Sequence, residues 1–172
     1  MKILIKTAGQ QVFATLILLN VSYAPAAAED LVFDMDQTVT CLDRTDVVHE
    51  QRACVGASAE ACMEATPGGY STVGMGACLE YEYEYWDGRL NDAYRVLLDS
   101  ERADDLEWGQ PVKKADALRD MQRAWIAYRD ATCDYERSQW GGGTGGSPAT
   151  AACLMRLTGE QALYLEGAMA EG

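Results

Sequence analysis

The sequence contains a single histidine, His49, and no two cysteines in a C-x-x-C spacing. A serine or cysteine nucleophile usually needs a neighbouring histidine as its base, so this scarcity excludes most nucleophilic triads. His49 lies in a charged stretch, and we interpret it as a surface residue. Structural zinc sites use closely spaced cysteines and histidines, so no metal site is expected. The glycine-rich run 141–146 lacks the Lys-Ser/Thr ending of a phosphate cradle. We interpret that run as a hinge-like connection and expect no cofactor.

Basic residues are also scarce, because 14 Lys and Arg stand against 27 Asp and Glu, for a net charge of −13. Nucleic-acid binding requires clustered Lys and Arg that displace counterions from phosphates, so no nucleic-acid partner is expected. The acidic chain would instead attract a basic macromolecule. The alternative is that the acidity only keeps the protein soluble.

The sequence lacks the run of about 20 apolar residues that a membrane-spanning helix needs. Its first segment has the order of a signal peptide: Lys2 and Lys6, an apolar stretch over 12–21, then small residues with an A-x-A site that ends at Ala28. We therefore expect residues 1–28 to be a cleaved signal peptide, with no stable membrane anchor afterwards. Loss of the two lysines would leave 12 basic and 27 acidic residues, a net charge of −15.

Six cysteines follow this segment, and an even number in an exported chain indicates a disulfide framework formed in an oxidising compartment. The protein is therefore expected to be periplasmic or secreted. Spacing alone leaves every pairing open. The cysteines are Cys41, Cys54, Cys62, Cys78, Cys133 and Cys153.

Residues 29–40 are acidic and without clear periodicity, and we interpret them as a leader before a domain over residues 41–170. Glycines and three cysteines over 41–75 predict loops and brief helices, one of them over 45–53. An acidic linker is predicted over 99–110.

Three segments have the 3.6-residue periodicity of amphipathic helices. Ser71 or Thr72 caps the first, Pro111 occupies the first turn of the second, and Ser147 and Pro148 begin the third. The apolar positions are Leu79, Tyr83, Trp86, Leu90, Tyr94 and Leu97 in the first helix, Leu118, Met121, Trp125, Tyr128, Thr132 and Tyr135 in the second, and Leu154, Leu157, Gln161 and Leu165 in the third.

No segment predicts a strand of useful length. The predicted fold class is all-α, a small disulfide-bonded bundle of about three main antiparallel helices. Acidic residues on the polar face of the first helix are interpreted as solvated, except Glu82, which lies close to the apolar stripe.

Two tryptophans, Trp108 and Trp140, fall in predicted loops and are the candidate binding residues, since exposed tryptophans often anchor interfaces. Aromatic residues on the helix stripes, such as Trp86, Trp125 and Tyr128, are assigned to the core.

The run Q-R-A-W-I-A-Y-R-D-A-T-C over residues 122–133, followed by C-L-M-R-L-T from Cys153, resembles the pattern of LprI-type lysozyme-inhibitor N-terminal domains. The upstream M-G-A-C from Met75 and L-N-D-A-Y from Leu90 are similar to the same family. The resemblance spans about residues 62–165. It implies a helical, disulfide-bonded periplasmic domain.

The resemblance further implies that Cys133 pairs with Cys153 and Cys62 with Cys78, which leaves Cys41 to pair with Cys54. Two departures stand out. Gln161 occupies a position where many relatives have arginine, and Cys41 and Cys54 are additional to the basic pattern.

Three functions are considered. The first is an exported binding protein, not an enzyme, that inhibits lysozyme or another basic exported hydrolase. The second is a structural or assembly module of the cell envelope without lysozyme activity. The third is a glycan hydrolase that uses paired carboxylates, although no two carboxylates stand out.

Overall fold

The computed structural model describes residues 31–109 and 111–171 of the chain. The expected signal peptide lies outside these residues, as do the first two positions of the expected leader. Every regular element in the described part is helical, which confirms the all-α prediction. None of the described helices is both long and apolar enough to cross a membrane.

Short helical elements precede three long helices in the described part. Connections of a few residues join the long helices, so α5 runs antiparallel to α4 and α6, as predicted. The brief helix predicted over 45–53 is α2 followed by a 3₁₀ turn. The elements are α1 (Asp36–Leu42), α2 (Val48–Gln51), the 3₁₀ turn (Arg52–Cys54), α3 (Ala57–Ala65), α4 (Thr72–Trp108), α5 (Lys114–Ser138) and α6 (Gly146–Glu171).

Helix α4 begins as predicted and ends later than predicted. The hydroxyl of Ser71 accepts a hydrogen bond from the Gly74 N–H at 3.1 Å, which caps the helix. The helix continues through the predicted acidic linker, where ion pairs such as Arg102 with Asp99 at 2.7 Å, one turn apart, support it. It ends before Gly109, whose φ of 57° is the left-handed conformation that glycine adopts readily.

Helix α5 begins at Lys114, so Pro111 lies before the helix and not in its first turn. The Asp105 carboxylate of α4 accepts hydrogen bonds from the backbone N–H groups of Lys114 and Ala115, at 2.9 and 3.1 Å. Desolvation would raise the pKa of Asp105, but these two hydrogen bonds outweigh it and lower the pKa. Asp105 therefore caps α5 from the neighbouring helix.

The predicted apolar stripe of α5 is only partly buried. Leu118 is buried, as expected. Tyr128 is 60% exposed, so its assignment to the core is wrong, and Tyr135 on the same stripe is 66% exposed. The reason is that α5 is rotated to bury its Gln122 and Cys133 face against the bundle.

Trp86 of α4 is fully buried at the centre of the core. Gly159 of α6 permits close packing there, because a Cβ at that position would lie 2.8 Å from the Val55 side chain. Farther along, Arg89 of α4 donates to both oxygens of Glu166 of α6, at 2.9 and 2.6 Å. This bidentate pair fixes α6 against α4. The predicted stripe of α4 is confirmed by its buried members Leu79, Trp86, Leu90 and Leu97.

The buried Glu82 carboxylate joins the N-terminal elements to α4. Its side chain is fully buried and accepts hydrogen bonds from the Gly56 and Ala59 N–H groups, both at 2.7 Å. The Trp86 indole and the Thr38 hydroxyl donate at 3.0 and 2.9 Å. Because Thr38 belongs to α1, which starts inside the expected leader and crosses its end at residue 40, that part of the leader is packed structure.

Candidate binding site

Two disulfide-closed loops meet at one end of the helical bundle. The structure joins Cys62 to Cys78 and Cys133 to Cys153, the pairs that the family resemblance implies, and it joins the two remaining cysteines, Cys41 and Cys54. The Cys62–Cys78 loop leads from α3 into α4, and the Cys133–Cys153 loop leads from α5 into α6. Because α5 is antiparallel to α4, both loops lie at the same end.

A groove of about 630 Å³ lies between these loops, and we call it the Trp140 groove. Its volume falls in the range of about 300–1,000 Å³ that is usual for ligand sites. Two lining residues, Glu60 and Leu79, flank the first loop, and the others lie inside one loop or the other. The Cys62–Cys78 loop contributes Met63, Tyr70, Thr72 and Met75, and the Cys133–Cys153 loop contributes Trp140, Thr144, Gly145, Pro148, Ala149 and Ala152.

Trp140 forms one wall of the groove and is 53% exposed. Its indole lies so close to Gly145 that a Cβ at that position would collide with the ring. Gly141 and Gly142 adopt φ values of 53° and 86°, which disfavour other residues. The glycine-rich run is therefore a tight turn that seats the indole, and not the hinge-like connection expected from composition.

Tyr70 lines the groove from the other loop and is 56% exposed. Its hydroxyl donates a hydrogen bond to Glu60 Oε1 at 2.7 Å. That hydrogen bond, together with desolvation and the negative charges of Glu60 and Glu64, raises the pKa of Tyr70 to about 12. The phenol therefore stays protonated at physiological pH and keeps the Glu60 carboxylate beside the groove.

The carboxylates beside the groove form no ion pair within the described part of the protein. Among the described residues, no Lys or Arg forms an ion pair with Glu60 or Glu64. Some carboxylates elsewhere are paired, as where Lys114 contacts both Glu101 and Asp104, whereas others on the polar face of α4, such as Glu80 and Glu84, form no ion pair among the described residues. The site thus combines an apolar, aromatic cleft with uncompensated negative charge at its edge.

Trp108, the second candidate binding residue, lies far from this groove. It is the last residue of α4, 67% exposed, beside a hollow of about 210 Å³ that Asp104, Asp105 and Lys114 also line. With a rise of about 1.5 Å per residue, Trp108 lies about 44 Å along α4 from Leu79 in the groove. The structure therefore does not bring Trp108 and Trp140 together.

A second apolar surface lies between α5 and α6, where a shallow groove of about 430 Å³ is lined by Trp125, Tyr128 and Tyr164, among others. The Arg129 guanidinium lies 5.1 Å from the centroid of the Trp125 ring. Trp125 is half-buried against the core, whereas Tyr128 and Tyr164 are exposed. Sequence periodicity gave no sign of this surface, because it could not show how α5 is rotated.

The sequence pointed to Trp140 but not to Tyr70, Glu60, Met63 or Met75. These four precede or follow glycine-rich turns in a segment with little periodicity, so the only available signal was the position of the cysteines around them. Within residues 31–109 and 111–171, no group of three or more His, Cys, Asp or Glu side chains is placed to hold a metal ion.

Comparisons with known proteins give one family match and two uncharacterised relatives. The family model described as "Lysozyme inhibitor LprI" matches residues 62–165, which include both loops of the groove. An uncharacterised 17.7 kDa protein in the puhA 5′ region of Rhodobacter capsulatus is 30% identical over 77% of this chain and 85% of its own length. An uncharacterised protein of Rhizobium meliloti is 30% identical over 58% of this chain and 74% of its own length. No solved structure gives a significant match.

Proposed function

The chain belongs to the LprI lysozyme inhibitor family, and from that premise we propose that it binds and inhibits a basic, lysozyme-type glycan hydrolase through the Trp140 groove. The single observation that carries the choice of surface is the groove itself. The family match covers its two disulfide-closed loops, and the groove contains Trp140, one of the two tryptophans expected to bind.

Charge supports a basic partner. The chain has a net charge of −13, and the groove edge carries Glu60 and Glu64 without a basic counterpart among the described residues. Opposite charge raises the association rate of two proteins and disfavours acidic competitors.

The rigidity of the site supports tight binding. Each wall belongs to a loop closed by a disulfide, and the absence of a side chain at Gly145 lets the Trp140 indole pack against the turn. A surface that is already ordered loses less conformational entropy on association than a mobile loop does. Aromatic residues that fill a partner's pocket are typical hot spots.

We propose that the protein has no catalytic role of its own. Of the groove residues, only Glu60 carries a carboxylate, whereas glycoside hydrolysis usually needs two that flank the scissile bond. His49 is exposed and lies on α2, outside the groove.

We also propose export to the periplasm or the exterior, with cleavage after Ala28 and one domain that includes residues 41–170 and begins with α1. The support is the basic, apolar and small-residue order of residues 1–28 and the three disulfides, which persist in oxidising compartments.

The test is a titration of lysozyme activity with the oxidised, processed protein at low salt and at about 0.15 M ionic strength. We expect inhibition that reaches completion near one equivalent and that survives the higher salt, because the groove contacts are partly apolar. Inhibition that vanishes at the higher salt would mean that net charge alone drives the contact, and the proposal would fail.

The alternative is a structural or assembly module of the cell envelope, and the surface between α5 and α6 favours it. Tyr128 and Tyr164 are both exposed and line the same shallow groove, and an exposed apolar patch commonly marks an interface. Absence of inhibition at both salt concentrations would favour this alternative.

A further inference from the structure

The Trp140 groove combines an apolar surface with a negative charge, and few ligands complement both. Its floor and walls include Met63, Met75 and Leu79, which offer only apolar contact. Its lining also includes the Trp140 ring and the Glu60 carboxylate, whose Oε1 accepts a hydrogen bond from the Tyr70 hydroxyl. A ligand for this groove must therefore be apolar along its length and positively charged at its end.

We infer that the groove receives the side chain of one lysine or arginine of the partner protein. This inference rests on the proposed function and names the chemical group that the same site recognises. The methylene stem of the side chain lies along Met63, Met75 and Leu79, in the way that long basic side chains cover apolar surface. Its cation lies between the Glu60 carboxylate and the Trp140 ring.

Charge complementarity selects the cation over other occupants. Glu60 and Glu64 carry negative charge without a basic partner among the described residues, so an acidic side chain would be repelled. A neutral apolar side chain would leave the Glu60 carboxylate partly desolvated and unpaired. A cation can form an ion pair with the carboxylate and a cation–π contact with the face of the indole, which is the most favourable aromatic ring for cations.

Tyr70 fixes the Glu60 carboxylate for this contact. The phenol donates to Oε1 and keeps its proton, since its pKa is about 12. Oε2 has no hydrogen-bond donor among the described residues and is free to accept from the ligand. The phenol also lines the groove next to the expected position of the cation.

The experiment uses two blocked peptides, acetyl-Gly-Arg-Gly-amide and acetyl-Gly-Gln-Gly-amide, titrated into the oxidised, processed protein. Binding is followed by the NMR signal of the Trp140 indole N–H, which is assigned with Trp140→Phe. The arginine peptide is expected to shift this signal in a saturable way, and the glutamine peptide is not. Glu60→Gln should raise the dissociation constant of the arginine peptide by about threefold or more. Glu107→Gln, which removes the same charge near Trp108, should leave that constant unchanged.

Equal responses to the two peptides would show a merely apolar groove and overturn the inference. So would a shift that is absent with both peptides, or one that Glu60→Gln leaves unchanged. The hydrolase titration is independent of these results: inhibition without arginine binding would refute only this inference, and arginine binding without inhibition would refute only the proposed function.

Discussion

Replacing Glu82 with alanine is expected to lower the free energy of unfolding by about 3 to 5 kcal/mol. Glu82 is fully buried and accepts four hydrogen bonds. Its removal leaves the N–H groups of Gly56 and Ala59 and the Trp86 indole without an acceptor, whereas the Thr38 hydroxyl keeps the Cys54 carbonyl within 3.5 Å. Each buried donor left unpaired costs about 1–3 kcal/mol, and the costs are not additive.

Urea denaturation followed by circular dichroism measures this change, with Glu84→Ala as the matched control. Glu84 lies on the same helix but is exposed, so its substitution should change the free energy of unfolding by no more than about 0.5 kcal/mol. If Glu82→Ala proved as stable as the control, the carboxylate would not be the link between α1, α3 and α4 described above.

Removal of the Cys133–Cys153 disulfide, as Cys133→Ala with Cys153→Ala, is expected to affect both stability and function. The bridge closes a separation of 20 residues, and loss of such a closure costs about 3 kcal/mol in the chain-entropy model. The loop that it closes carries Trp140 and one wall of the groove. Without the disulfide this wall is expected to be less ordered. We therefore expect the double variant to inhibit the hydrolase less than the wild-type protein does, even at temperatures where circular dichroism still shows a folded protein.

Removal of the Cys41–Cys54 disulfide is the control for this prediction. It closes a separation of 13 residues, so its loss should cost a similar free energy, about 3 kcal/mol. It contributes nothing to the groove, and inhibition should remain close to that of the wild-type protein. Equal loss of inhibition in both double variants would mean that general destabilisation, and not the groove wall, explains the effect.

The three long helices could be predicted from the sequence because each carries a strong apolar stripe. The stripe from Leu79 to Leu97 faces the core as the periodicity indicates. Periodicity alone did not locate the end of α4, because Arg102 and Asp99 stabilise a charged helical segment that composition alone presents as a linker. Helix α1 was also hidden, since a seven-residue helix depends on tertiary contacts such as the one between Thr38 and Glu82.

The Trp140 groove could not be predicted from the sequence, for a different reason. Its walls come from segments about 70 residues apart, and they meet only because α5 returns antiparallel to α4. Trp140 was identified by its place in a predicted loop, whereas Tyr70 and Glu60 have no local pattern that marks them. Trp108 satisfied the same loop criterion, and the structure shows it at the other end of the bundle. A place in a predicted loop therefore identified candidate residues, but it could not show which of them share a site.

The proposed function depends most on the Trp140 groove being the surface that contacts the hydrolase. The direct test compares Trp140→Ala with Trp108→Ala in the lysozyme titration at about 0.15 M ionic strength. Both residues are exposed tryptophans of the same chain, so the pair is matched in chemistry. We expect Trp140→Ala to raise the inhibition constant about tenfold or more, as loss of a central aromatic anchor does, and Trp108→Ala to change it less than about twofold. The opposite order, with Trp108→Ala the damaging variant, would place the contact at the far end of α4 and contradict the account.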